Sequence, residues 1–169
     1  MSELTQSLSL IAITKRIWLG PFLTQERGAE LQSLGVTHVL NVSEAPSIVA
    51  GGEFGLECVR DIPVTDLELI PDSVAIACVN ALHEMLQVVG SKVYVHCIAG
   101  QNRSPTILWL YFLACGMPRE TAKALIEFRA RDAAPGRKFM VDHQLAARVE
   151  TYGRQFLQHL ADETHLDPA

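Results

Sequence analysis

Apolar residues fall in short runs separated by polar breaks, and the period of the runs changes along the chain. The runs at 9–14 (SLIAIT) and 16–20 (RIWLG), split by Lys15, predict two short strands. Thr24 stands ahead of a helical period that lasts to about Leu34, and Gly35 follows as its closing residue. The stretch 36–43 (VTHVLNVS) is apolar on both faces apart from His38, as an interior parallel strand would be. A loop rich in Gly, Pro, Ser and Glu (44–55) leads to a short strand at 56–60 (LECVR). From Asp61 to Pro71 no period holds, and Pro63 and Pro71 mark a loop. Asp72 or Ser73 caps a helix running to about Val89, before Gly90. A buried strand is expected at 92–97 (KVYVHC), then a strongly apolar helix from about Arg103 to Cys115, closed by Gly116. Pro118 opens the next helix, which ends near Asp132. A turn at 133–136 precedes an amphipathic helix from about Phe139 to Leu160, and the polar tail at 161–169 is expected to fray.

Strands alternating with helices predict an α/β domain with a mostly parallel central sheet flanked by helices. At 169 residues the chain fits one domain, with its core over about 10–155. Hydrophobic residues make up 49% and charged ones 20%, which excludes general disorder. The net charge of −5 argues against a nucleic-acid partner. The charge is uneven, however. Residues 1–95 carry 5 Lys/Arg against 11 Asp/Glu, whereas 96–169 carry 9 against 8, so the second half has room for an anion. The N-terminus has no basic segment ahead of an apolar one, Ser2 replaces the glycine that myristoylation needs, and the apolar run 107–117 is too short to span a bilayer. A soluble, cytoplasmic protein without a membrane span is expected. Cys58, Cys78, Cys97 and Cys115 form no C-x-x-C pair, so neither a zinc site nor a disulfide framework is expected.

The stretch HCIAGQNRS (96–104) lies where a buried strand hands over to an apolar helix. Loops at the carboxyl ends of parallel strands are where such sheets bind ligands. The backbone N–H groups from Ile98 through Ala99, Gly100, Gln101 and Asn102 to Arg103, with the positive end of the helix, would surround a phosphate-sized oxyanion. Arg103 can add a bidentate fork, and the same field favours a thiolate at Cys97. No Lys-Ser/Thr follows the glycine, which excludes a Walker-type nucleotide loop.

His-Cys-x5-Arg-Ser at a strand–helix junction resembles the signature of the cysteine-dependent protein tyrosine phosphatases, and the following SPT with its apolar helix resembles their dual-specificity branch. RIWLGPFLT, GVTHVLNVSE, IPVTD and APGRKFMVDHQL resemble, in order, that family's opening strand region, second strand, acid loop and turn into the last helix. The resemblance implies a dual-specificity-phosphatase-like fold and a hydrolase of phosphorylated protein or another phosphoester. It makes Cys97 the nucleophile and Arg103 the phosphoryl clamp, with Ser104 as the hydroxyl that helps expel the thiolate. His96 would organise the loop, and Asp66, in the loop before Cys97, would be the general acid. Asp61, directly after a strand, remains the alternative acid. No metal or other cofactor is implied.

Other readings compete. Asn102 before Arg103 departs from the branch's usual serine and resembles RNA 5′-triphosphatase relatives, yet those follow the arginine with threonine and glycine where this chain has Ser104-Pro105. Phosphoinositide phosphatases of the superfamily usually carry basic loop residues, and Ile98, Ala99 and Gln101 are neutral. A rhodanese-like or arsenate-reductase-like thiol enzyme would leave the Asp66 loop unexplained. A phosphopeptide-binding pseudophosphatase usually lacks the cysteine or the arginine, and both are present. Cys58, Cys78 and Cys115 are candidate disulfide partners for an oxidised Cys97. Arg119, Lys123, Arg129, Arg131, Arg137 and Lys138 form either a solvated face or a patch beside the substrate, with Arg137 and Lys138 the foremost candidates for the latter.

Overall fold

A computed structural model describes residues 10–157 and 163–169. Its five strands are β1 (Ile11–Ala12), β2 (Ile17–Gly20), β3 (His38–Asn41), β4 (Cys58–Asp61) and β5 (Val93–His96). They form one sheet in the order β1-β2-β5-β3-β4, with β1 antiparallel to β2 and all other neighbours parallel. The helices are α1 (Gln25–Leu34), α2 (Asp72–Gln87), α3 (Arg103–Ala114), α4 (Arg119–Arg129) and α5 (His143–Phe156). Among the described residues no helix is long and apolar enough to cross a membrane.

The strands are apolar on both faces because both faces are covered. Tyr94 and Val39 point with Trp18 into a smaller core beneath α1, built with Leu31, Val36 and Leu56. Val93, Val95 and Leu40 point the other way, into the larger core shared with α2, α3 and α5. All twelve residues of α3 are buried, so this helix is the centre of that layer and its amphipathic neighbours wrap around it. Gly153 of α5 faces the backbone of Ala114, which lets the last helix lie directly against α3.

Several boundaries differ from expectation. The helix expected to start on an Asp72 or Ser73 cap has Pro71 at the capping position without a side-chain bond. Pro71 is extended there, and Asp72 instead pairs with Arg148 of α5. The strand expected at 56–60 is shifted to β4 because it pairs in register with β3, Asn41 opposite Asp61. The last helix begins at His143, not Phe139, because Asp142 caps it by accepting from the Leu145 N–H at 2.7 Å. Pro118 stands outside α4, which ends at Arg129 short of Asp132.

The tail does not fray where it is described. Residues Glu163–Leu166 form a 3-10 turn, Pro168 bridges Thr14, and the Lys15 N–H donates to Asp167 O at 2.9 Å. His165 is buried there, at 4% exposure. Residues 1–9, the last part of the expected final helix (158–160) and the start of the tail (161–162) lie outside the described residues.

Candidate active site

Cys97 follows β5, the middle strand, so the loop it opens stands at the carboxyl edge of the sheet between the ends of β2 and β3. Two contacts fix the loop's path. The Phe22 N–H, just past β2, donates to Ile98 O at 2.9 Å, and the Ala134 N–H donates to Gln101 O at 2.7 Å. Gly100 turns the chain with φ +74° and lies so close to β2 that a Cβ there would sit 2.7 Å from Gly20 O. Only glycine meets both the dihedral and the approach.

The loop encloses a cavity of about 300 Å³ lined by Asp66, Cys97, Ile98, Ala99, Gln101, Asn102 and Arg103. Gly100 lines a smaller cavity behind the loop, with Gly20, Arg131 and Asp132. Cys97 is 3% exposed at the floor, and its Sγ lies 3.3 Å from Ser104 Oγ in the first turn of α3. Ser104 is thus behind the thiol and away from solvent.

Arg103 starts α3, where the helix field opposes a cation and only anionic company offsets the cost. Its Nη1 donates to Val64 O at 3.3 Å and lies 4.0 Å from the Glu44 carboxylate, while its Nε is buried without a protein partner. A guanidinium edge is therefore free for a ligand in the cavity. Asp66 is a half-buried residue of the same lining, and its Oδ1 accepts from the Leu67 N–H at 3.0 Å.

His96 is fully buried, edge-on to Phe22 at 5.2 Å and stacked on Tyr94. Burial drives its pKa down to about 4, against the smaller opposing effect of its bond to Cys97 O. That carbonyl only accepts, so Nδ1 carries the proton and the ring is the neutral Nδ1–H form. The bond holds the Cys97 carbonyl at 3.0 Å and so anchors the start of the loop.

Asp61, the alternative acid, is occupied elsewhere. Its carboxylate accepts from the Ser47 N–H at 3.0 Å and the Ser47 hydroxyl at 2.5 Å, with Asn41 Nδ2 at 3.3 Å. Burial pushes its carboxyl up, but these bonds outweigh burial and hold it below the usual carboxylate range. Of the two candidates, Asp66 is the one that lines the cavity of Cys97.

The chain residues matched by the model of a Swiss Army Knife-protein DSP-PTPase phosphatase domain are 23–155, which include every residue that lines this cavity. The chain belongs to the DSP-PTPase phosphatase family. This DSP-PTPase domain is 31% identical over 109 residues to human dual specificity protein phosphatase 26, covering 57% of the chain and 49% of that protein. It thus spans about half the length of that relative. Its fold is shared with the crystal structure of DUSP15 (TM-score 0.67, 22% identity, 88% of this chain and 90% of that one). It is shared equally with PTPMT1 in complex with PI(5)P (TM-score 0.65, 17% identity, 86% and 94%).

Glu44 was not among the site residues read from sequence. An acidic residue three positions past the carboxyl end of β3, beside the strand that carries the cysteine, is the signal that could have found it. Three of the six cations in that set are engaged elsewhere in the domain. Arg119 pairs with Glu150 at 2.6 Å, the Arg129 Nε donates to Ala12 O, and Arg137 lies over Phe139. Among the described residues Arg103 is the one cation lining the cavity of Cys97. Among the described residues no three His, Cys, Asp or Glu side chains gather to hold a metal ion.

Proposed function

We propose that this domain hydrolyses phosphate monoesters through a phosphocysteine intermediate, acting on phosphotyrosine and phosphoserine/threonine of proteins. The observation that carries the reading is the shared cavity of Cys97, Arg103 and Asp66. The Cys97 sulfur attacks phosphorus as the bond to the leaving oxygen breaks, and Asp66 gives that oxygen its proton. Arg103 and the loop N–H groups of Ile98, Ala99, Gly100, Gln101 and Asn102 take up the equatorial charge. In the second step water attacks phosphorus and its proton passes to the Asp66 carboxylate. The sulfur–phosphorus bond breaks, and the Ser104 hydroxyl, 3.3 Å away, donates to the departing thiolate. His96 keeps the loop's first carbonyl in place throughout.

The cavity's lining favours a protein substrate over a polyphosphorylated one. Arg103 is its one cation, with Glu44 beside it, so a second phosphate would meet Asp66 and neutral Ile98, Ala99 and Gln101. Exposed Ile98, Leu67 and Leu69 offer apolar contact to a side chain bearing the phosphate. The four free thiols suit a reducing compartment such as the cytoplasm.

Turnover of an aryl phosphate tests the reading. Activity should vanish in Cys97→Ser, survive EDTA, and fall about 10²–10⁴-fold in Asp66→Asn, far more than in Asp61→Asn. The reverse ranking would hand the acid role to Asp61, and the absence of any Cys97-dependent turnover would leave a phosphopeptide-binding module. A panel of phosphotyrosine and phosphothreonine peptides, a phosphoinositide and an RNA 5′-triphosphate sorts the substrate class.

A further inference from the structure

The loop after β3 carries Glu44 to Arg103, and the ends of two neighbouring strands hold that loop. Asn41 closes β3 and Asp61 closes β4, opposite each other in the parallel register. On one side of Glu44, the Ser43 N–H and hydroxyl both donate to Asn41 Oδ1, at 3.0 and 2.7 Å. On the other side, Asn41 Nδ2 donates to Ala45 O at 2.8 Å and lies 3.2 Å from Ser47 Oγ. Asp61 then fastens Ser47 twice, through its N–H and its hydroxyl. Glu44 is therefore clamped from both flanks although its own side chain is largely exposed.

Among the described contacts Arg103 is held in the cavity by two groups, the Val64 carbonyl and Glu44, both on Nη1. An exposed glutamate 4.0 Å away steers a guanidinium only if its backbone is fixed, because a free loop would let the pair dissolve into solvent. We infer that Asp61, together with Asn41, is a positioning residue for oxyanion binding: it acts through Ser47 on Glu44, and through Glu44 on the orientation of Arg103. Asp61 is not among the residues that line the cavity of Cys97. The inference rests on the phosphatase reading of the cavity and adds to it a line of four side chains running from the sheet edge to the clamp. A turn held together merely for stability would use the same bonds. The two roles differ in whether Glu44 transmits them.

A double-mutant cycle with two readouts separates them: affinity for inorganic tungstate by calorimetry, and kcat and KM for an aryl phosphate. Asp61→Ala should weaken tungstate binding and lower kcat/KM by about tenfold, the scale of coupling within one bonded network. Asp61→Asn, which keeps one acceptor toward Ser47, should recover part of the loss. Ser47→Ala, which leaves both strand ends intact, should give a smaller loss in the same direction and covers the case in which Asp61→Ala fails to fold. In a Glu44→Ala background each of these changes should cost less than about twofold more, since the path is already cut. Losses that multiply across the two positions would overturn the inference, as would tungstate affinity in Asp61→Ala within about twofold of the unaltered protein. If the protein binds tungstate without turnover, the phosphatase reading fails and the cycle is still decided on affinity. If it does neither, both fail.

Discussion

Gly100→Ala is the sharpest test of how the oxyanion loop is built. Two costs add at this position. A non-glycine residue at φ +74° costs about 1–2 kcal/mol. The new Cβ would also stand 2.7 Å from Gly20 O and 2.8 Å from Gly20 C, both backbone atoms that cannot swing away as a side chain would. Forcing an extra carbon into a packed site typically costs a further ~1–3 kcal/mol. Gly90→Ala isolates the first cost, because Gly90 has φ +73° with nothing within 4 Å of a Cβ. The expected loss of stability is therefore about 1–2 kcal/mol for Gly90→Ala and about 2–5 kcal/mol for Gly100→Ala. The end of β2 is paired to His96 and bonded through Phe22 to Ile98, so the contact is relieved by moving the loop. Displaced N–H donors should cut kcat/KM by about 10²-fold or more, the usual cost of one lost oxyanion donor. Denaturant unfolding of both variants, beside aryl phosphate kinetics, gives the comparison. If Gly100→Ala is no less stable than Gly90→Ala and keeps kcat/KM within about threefold, the close approach of the loop to β2 is not what shapes the site.

Two further outcomes follow from buried titratable groups. His96 is neutral in the fold, with its pKa lowered by burial from 6.5 to about 4, so the unfolded chain binds the extra proton first. Its contribution to stability is complete above about pH 6.5 and is lost as the pH falls toward 4, by roughly 3 kcal/mol in all. Denaturation at about pH 7 and pH 4.5 should show the drop, and a His96→Asn variant should lack this part of it; equal slopes in the two proteins would refute the assignment. Burial also pushes Cys78 up to about 12 and Cys115 up to about 11. Neither should be alkylated by iodoacetamide at neutral pH in the folded protein, and mass spectrometry showing rapid modification at either would contradict the burial.

Local signals carried most of the fold. Thr24 and Gly35 bound α1 as expected, with Thr24 Oγ1 accepting from the Arg27 N–H and Gly35 in the left-handed region. Both devices act within a few residues, so sequence shows them. His38 is the exception within the apolar run of β3. It is buried there with Nδ1 2.7 Å from the Thr37 hydroxyl and its other nitrogen 3.8 Å from Glu57. The errors fell where a distant partner decides. The shift of β4 comes from its register with β3, Asp72 was drawn from a cap to an ion pair with Arg148, and the tail is ordered by Ile13, Thr14 and Lys15.

The site divides along the same line. Cys97, Arg103 and Ser104 are legible in sequence because one strand, one loop and one helix start build them, and they fall within eight consecutive residues. The sequence alone therefore set out the Cys97-x5-Arg103-Ser104 loop and the surplus of cations in the second half of the chain. It named Asp66 as the acid by resemblance, with Asp61 as the alternative, and it assigned Glu44 no part. Only the tertiary structure places the two apart, since parallel pairing carries the end of β4 to Ser47 while the loop beyond it brings Asp66 to the cavity that Cys97 lines. Spacing along a chain sets what neighbours within a turn can do. Which carboxylate faces the cavity depends on contacts across the sheet, and those exist only once the strands have paired.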